Sequence, residues 1–138
     1  ILGNVFSKEH IIDILKIAEK HSLPIIADEI YEAMVFPGID FNSFSALSKN
    51  VPILSCSGLS KRFLSPGIRL GWIIVHDKNN TLSDVKQGLR NVSARILGPN
   101  STVQYAIPEI LQNTPTHFFK NTMMKISVGH ANYSSSNY

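Results

Sequence analysis

The 138-residue chain has one cysteine, Cys56, no apolar run of the ~18–20 residues that span a bilayer, and no block of like charge. Each shortage excludes something. A lone thiol forms no intrachain disulfide and favours a reducing compartment, so a cytoplasmic location is expected, with the mitochondrion second. The missing apolar run leaves no expected membrane segment, and the N-terminus lacks the basic-then-apolar order of a secretory signal. The 13 Lys and Arg residues against 10 Asp and Glu give a formal charge of +3, but they are scattered apart from the Lys61-Arg62 pair. No phosphate-tracking patch results, and no nucleic-acid partner is expected. His10, His21, His76, His117 and His130 have no ligand spacing among them, which argues against a metal site. Triplets of the form Asn-x-Ser/Thr begin at Asn91, Asn100 and Asn132 and read as chance. The opening Ile1-Leu2-Gly3, without methionine, suggests a segment of something longer.

What the chain does have is 43% hydrophobic residues, enough for one compact core. Ser7 precedes a 3.6-residue alternation of Ile11, Ile12, Ile14, Leu15 and Ala18 with Glu9, Asp13, Lys16 and Lys20. This predicts an amphipathic helix with a serine cap, early acids and late lysines. Pro24 to Ala27 reads as a short strand buried on both faces, because no polar residue alternates within it. Residues 37–50 are rich in turn formers, with Phe41, Phe44 and Leu47 able to pin a loop or short helix. Ile53 to Cys56 and Leu70 to His76 are two further strands. The segment between them is too short for a crossover helix, so this pair is expected to be antiparallel. Leu82, Val85, Leu89, Val92 and Ile96 follow helical spacing. Ser101-x-x-Gln104 resembles a capping box, Pro108 sits awkwardly in the helix that follows, and Thr114-Pro115 opens a last helix carrying Phe118, Phe119, Met123 and Ile126. From Ser127 the sequence loses periodicity, and a disordered tail over 127–138 is expected.

Four residues stand at strand ends with chemistry to offer. Asp28 closes the Ile25-Ile26-Ala27 run, Tyr31 follows three residues later, and Lys61 and Arg69 flank the segment between the second and third strands. An amine, a carboxylate, a phenol and a guanidinium suit pyridoxal 5′-phosphate, which needs a Schiff-base lysine, a partner for its ring nitrogen, a partner for its ring oxygen and a phosphate clamp. A lysine amine acts as a nucleophile only when neutral, a state favoured by desolvation or by a nearby cation such as Arg69. Each residue also has a plainer reading. Asp28 could be a turn residue, Lys61 and Arg62 surface charges, Tyr31 and Trp72 rim or core aromatics, and Arg69 a structural ion-pair partner.

The strings A-D-E-I-Y, S-G-L-S-K-R-F-L-S-P-G-I-R-L-G-W and R-I-L-G-P-N-S-T-V-Q resemble the class I/II aminotransferases of the fold-type-I pyridoxal-phosphate superfamily, nearest to members acting on tyrosine. The resemblance covers about Gly3 to Lys125. It implies an α/β fold: part of the family's large domain over residues 1–126, a mostly parallel sheet with one antiparallel strand, and helices packed on it. It implies that Lys61 carries the cofactor and shuttles the proton, that Asp28 faces the ring nitrogen, Tyr31 the ring oxygen and Arg69 the phosphate, and it adds Ser60 as a further contact. The implied reaction moves the amino group of tyrosine to 2-oxoglutarate in a homodimer, with the stretch around Gly98 to Asn100 near the neighbouring subunit's cofactor. Other readings are an alanine or aromatic aminotransferase, a cofactor-sharing lyase, or an inactive truncated or spliced product.

The match has departures. The family's N-P-x-G is absent before the first helix, and Ser65 and Ile68 replace bulkier apolar residues. The Gly-rich phosphate loop, the ring-stacking aromatic and the carboxylate-binding arginine have no counterpart in this sequence, so weak cofactor binding and little turnover are expected of the chain alone.

Overall fold

The computed structural model of the chain describes residues 4–36 and 38–135. Helix α1 (Lys8–Lys20) forms where the periodicity places it, and Ser7 caps it, its Oγ accepting from the His10 amide at 3.2 Å. Ile11, Leu15 and Ala18 on one face are buried and meet Ala27, Val51 and Ile53, with Phe44 and Leu47 packed alongside. This cluster is the core. Ile53 has no exposed surface, and full burial of such a side chain contributes roughly 1.5–3 kcal/mol.

Three strands follow in the order β1-β2-β3 across one sheet. β1 (Ile25–Asp28) runs parallel to β2 (Ile53–Gly58), pairing Ile25 with Ile53 and Asp28 with Cys56. β3 (Gly71–His76) is antiparallel to β2, with Gly58 opposite Gly71. The sheet is mixed and has the expected antiparallel strand, but among the described residues the parallel pairing is one of two rather than the majority. The link from β1 to β2 carries α2 (Phe44–Leu47), and the link from β2 to β3 carries α3 (Leu59–Arg62) and a 3-10 turn (Pro66–Ile68).

β1 departs from expectation. Ala27 is buried, whereas Ile26 is 74% exposed. An all-apolar run signals two covered faces, but β1 is an edge strand here, and the described residues cover only the face toward α1.

Beyond β3 come α4 (Ser83–Ile96), α5 (Ser101–Asn113) and α6 (Thr116–Ser135). Asp77 organises the entry to α4: its carboxylate accepts from the amides of Thr81 and Leu82, from the Thr81 hydroxyl and from Lys86 Nζ at 3.0 Å. Asn100, not Ser101, caps α5, its Oδ1 accepting from the Thr102 and Val103 amides. Gln104 instead donates from its side chain to the Pro99 carbonyl. The cap thus falls one residue upstream of the S-x-x-Q pattern, with Asn100 Oδ1 serving the second and third amides of the helix. Pro108 lies within α5. α6 is helical through Ser135, past the point where the sequence pattern lapses, and residues 136–138 lie outside the described ones.

Candidate active site

The parallel strands β1 and β2 end side by side, and the carboxyl ends of parallel strands are where α/β folds place ligands. Asp28 is the last residue of β1 and is exposed. Its Oδ1 also accepts from the Ile30 amide at 3.3 Å, so the plain turn role and the site role coexist. That turn carries Tyr31, 55% exposed, with the Glu32 amide donating to the Glu29 carbonyl and the Met34 amide to the Tyr31 carbonyl.

From β2 the chain passes Gly58 directly into α3, so Lys61 stands in a one-turn helix rather than in a loop. Gly58 is needed by space, not by dihedral angle. A Cβ there would meet the Leu70 carbonyl oxygen at 2.7 Å and the Gly71 Cα at 3.0 Å. Only hydrogen lets β3 lie this close. Leu59 is 1% exposed and anchors the turn, its amide donating to the Leu70 carbonyl and its own carbonyl accepting from Ser65 Oγ, both at 3.1 Å. Half-buried Ser60 follows, then exposed Lys61, whose Nζ lies 5.5 Å from the centre of the Tyr31 ring. Two residues thirty positions apart in sequence are thus brought face to face.

Arg69 enters from the other side. It follows the 3-10 turn in the left-handed region, at φ 57° and ψ 46°, and leads into β3 two residues later. Its Nη1 donates to the Pro66 carbonyl at 2.7 Å. Among the described residues its guanidinium bonds to that carbonyl and to none of the other three candidates.

Sequence reasoning missed two groups. Glu29, only 9% exposed, accepts from Ser43 Oγ at 2.9 Å and from the Phe44 amide at 3.0 Å, binding the start of α2 to the end of β1. The signal was available, since a helix opening at Ser43-Phe44 offers free amides that favour a carboxylate. Arg62, read as a surface charge, is partly buried and pairs with Glu32 at 3.1 Å. Cys56 reports the local field: burial, then the negative charges of Asp28 and Glu29, push its thiol above the ordinary value.

The family model for aminotransferase class I and II matches residues 2–128. The chain belongs to this family. It is 50% identical to the tyrosine aminotransferase of Mus musculus over 122 residues, covering 88% of this chain and 27% of the mouse protein. It is 44% identical to the tyrosine aminotransferase of Dictyostelium discoideum over 133 residues, covering 94% of the chain and 32% of that relative. The chain thus spans about a quarter to a third of the length of these curated relatives. Among solved structures, the tyrosine aminotransferase of Leishmania infantum superposes with a TM-score of 0.89 at 34% identity, over 94% of this chain and 35% of that one. An alanine aminotransferase from Pyrococcus furiosus gives 0.84 at 33% identity, over 91% and 31%. The α/β fold expected from the resemblance is the one these aminotransferases share.

Proposed function

We propose that this chain forms the lysine-bearing part of the large domain of a pyridoxal-phosphate-dependent aminotransferase, over residues 1–126, and that the whole enzyme transfers the amino group of tyrosine to 2-oxoglutarate. The products are 4-hydroxyphenylpyruvate and glutamate. The observation that carries the reading is the approach of Lys61 to Tyr31 at the shared carboxyl end of β1 and β2, with Asp28 closing β1 beside them. The similarity to tyrosine aminotransferases supports the substrate assignment. A cytoplasmic homodimer is part of the same reading.

An amine, a phenol and a carboxylate at one sheet end fit the needs of pyridoxal phosphate, which when bound supplies an electron sink for the bonds at the substrate Cα. Lys61 would hold the cofactor through its amine and, once displaced by the substrate amine, move the proton at Cα. Asp28 would keep the ring nitrogen protonated, Tyr31 would donate to the ring oxygen, Ser60 would add a hydroxyl contact, and Arg69 would turn from Pro66 to the phosphate.

The test is reduction with borohydride in the presence of pyridoxal phosphate, followed by peptide mapping. Label is expected on Lys61 and is expected to vanish in Lys61→Ala. Label spread over surface lysines, unchanged in that variant, would refute the assignment. Assay of the whole enzyme with tyrosine and alanine as amino donors then decides the substrate, since faster turnover of alanine contradicts the tyrosine reading.

A further inference from the structure

Beside the Lys61–Tyr31 contact stands a second pair made by the next residue on each side, Arg62 and Glu32. Arg62 Nη1 donates to Glu32 Oε1 at 3.1 Å, and the two side chains are 35% and 29% exposed, so their attraction is screened less than that of a fully solvated pair. The Arg62 guanidinium also lies over two rings, 5.0 Å from the centre of Phe119 in α6 and 5.7 Å from that of Phe63. Those rings meet edge to face at 5.5 Å. One side chain therefore ties α3 to the turn after β1 and to α6.

The tie matters because α3 is four residues long. A single helical turn has no stability of its own, so where Lys61 points depends on contacts outside the turn. Leu59 and the Ser65 bond hold its first residue. At the Lys61 end, among the described residues, Arg62 supplies the polar tie to another element. The Arg62 Nε is buried and donates to no described group, so the guanidinium accepts the loss of one hydrogen bond to keep this placement.

We propose that Arg62 is a positioning residue: paired with Glu32, it sets the spacing between α3 and the Tyr31 turn, and hence the direction of the Lys61 amine. The inference rests on Lys61 being the residue that takes pyridoxal phosphate. Glu32 and Arg62 should then act as one unit, since either loss frees the same turn.

The experiment measures borohydride-fixed label on Lys61 against pyridoxal phosphate concentration in the unsubstituted chain, Arg62→Met, Glu32→Gln and the double variant, with a thermal melt of each. Glu32→Gln is isosteric and keeps the test alive if Arg62→Met folds poorly. Half-saturation is expected to rise roughly fivefold or more in each single variant, with the double no worse than the weaker single. A Glu32→Gln chain that labels at the original concentration, whatever its melt, overturns the proposal, as do effects that multiply in the double variant. Absence of label on Lys61 in the unsubstituted chain overturns the cofactor reading and this inference with it. Normal label there with unchanged variants overturns this inference alone.

Discussion

Gly58→Ala tests the tightest contact that shapes the site. The added methyl would sit 2.7 Å from the Leu70 carbonyl oxygen and 3.0 Å from the Gly71 Cα, both backbone atoms that cannot swing aside. Relief requires β3 to part from β2 where Gly58 faces Gly71. Overpacking of this kind costs ~1–3 kcal/mol, and weakening the Leu59-to-Leu70 backbone bond adds ~0.5–1.5 kcal/mol. The expected loss is ~2–4 kcal/mol, a fall in melting temperature of ~8–16 °C at ~4 °C per kcal/mol for a chain of this size. Urea denaturation of Gly58→Ala beside Gly67→Ala provides the comparison, because a Cβ at Gly67 meets nothing within 4 Å. Gly67→Ala should be neutral or stabilising by up to ~1 kcal/mol, through reduced freedom of the unfolded chain. Should Gly58→Ala unfold within ~0.5 kcal/mol of the original, the close approach is not what demands glycine, and the account of how α3 is placed fails.

Three other outcomes are expected. The Asp77 carboxyl is raised by desolvation but lowered more by its bonds from the Leu82 amide, Lys86 and Thr81, to about 2 from an ordinary 3.8. Its contribution to stability is therefore full above the unfolded value and lost as pH falls from near 4 toward 2. Asp77→Asn should flatten that stretch of the stability-pH curve in acid titrations followed by circular dichroism. Glu29→Ala should cost ~1–3 kcal/mol, because it strands the Phe44 amide in a part-buried place while the Ser43 hydroxyl keeps Ser45 Oγ as a partner, and hydrogen exchange at Phe44 should accelerate. Arg69→Gly removes a left-handed penalty of ~1–2 kcal/mol against a glycine entropy cost of ~0.5–1 kcal/mol. Stability should hold or rise while cofactor label on Lys61 weakens, and a loss of stability above ~1 kcal/mol would contradict this.

The sequence showed most plainly what periodicity governs. α1 and its serine cap, the parallel and antiparallel pairings, and α4 all follow from apolar spacing and link length. Through strand ends and motif strings it also singled out Lys61 and Tyr31, which the structure brings together, Lys61 Nζ lying 5.5 Å from the centre of the Tyr31 ring. It was silent where burial depends on partners distant along the chain. An all-apolar β1 cannot state that Ile26 faces outward, because the same four letters serve a central or an edge strand. Arg62 looked like surface charge because its neighbours Glu32 and Phe119 lie 30 and 57 positions away. Asn100 displaced Ser101 as the cap because both residues carry a suitable side-chain oxygen, and only backbone angles choose between them.

Several unfavourable features of the chain fall in the link that carries Lys61. Ser22, Asn80 and Leu97 take positive φ, but each lies at a helix end or in a turn where the chain reverses and such angles are common. Leu64 at φ 51°, just past α3, and Arg69 at φ 57°, which closes the 3-10 turn, are helix-end residues of the same kind, and both fall within one link, the one that carries Lys61. The same stretch holds the Gly58 close approach, and it includes or adjoins the buried, unpartnered Ser57 Oγ and Arg62 Nε. Backbone strain persists only where surroundings over-determine it. Here Leu59 at 1% exposure, Leu70 at 5% and the β2–β3 ladder supply that constraint. The core side of β2 carries one such feature as well, since the buried Ser55 Oγ, opposite Ala27, also has no partner among the described residues. A link that merely joined two strands would gain from relaxing these features, so their persistence fits the role proposed for it, aiming the Lys61 amine.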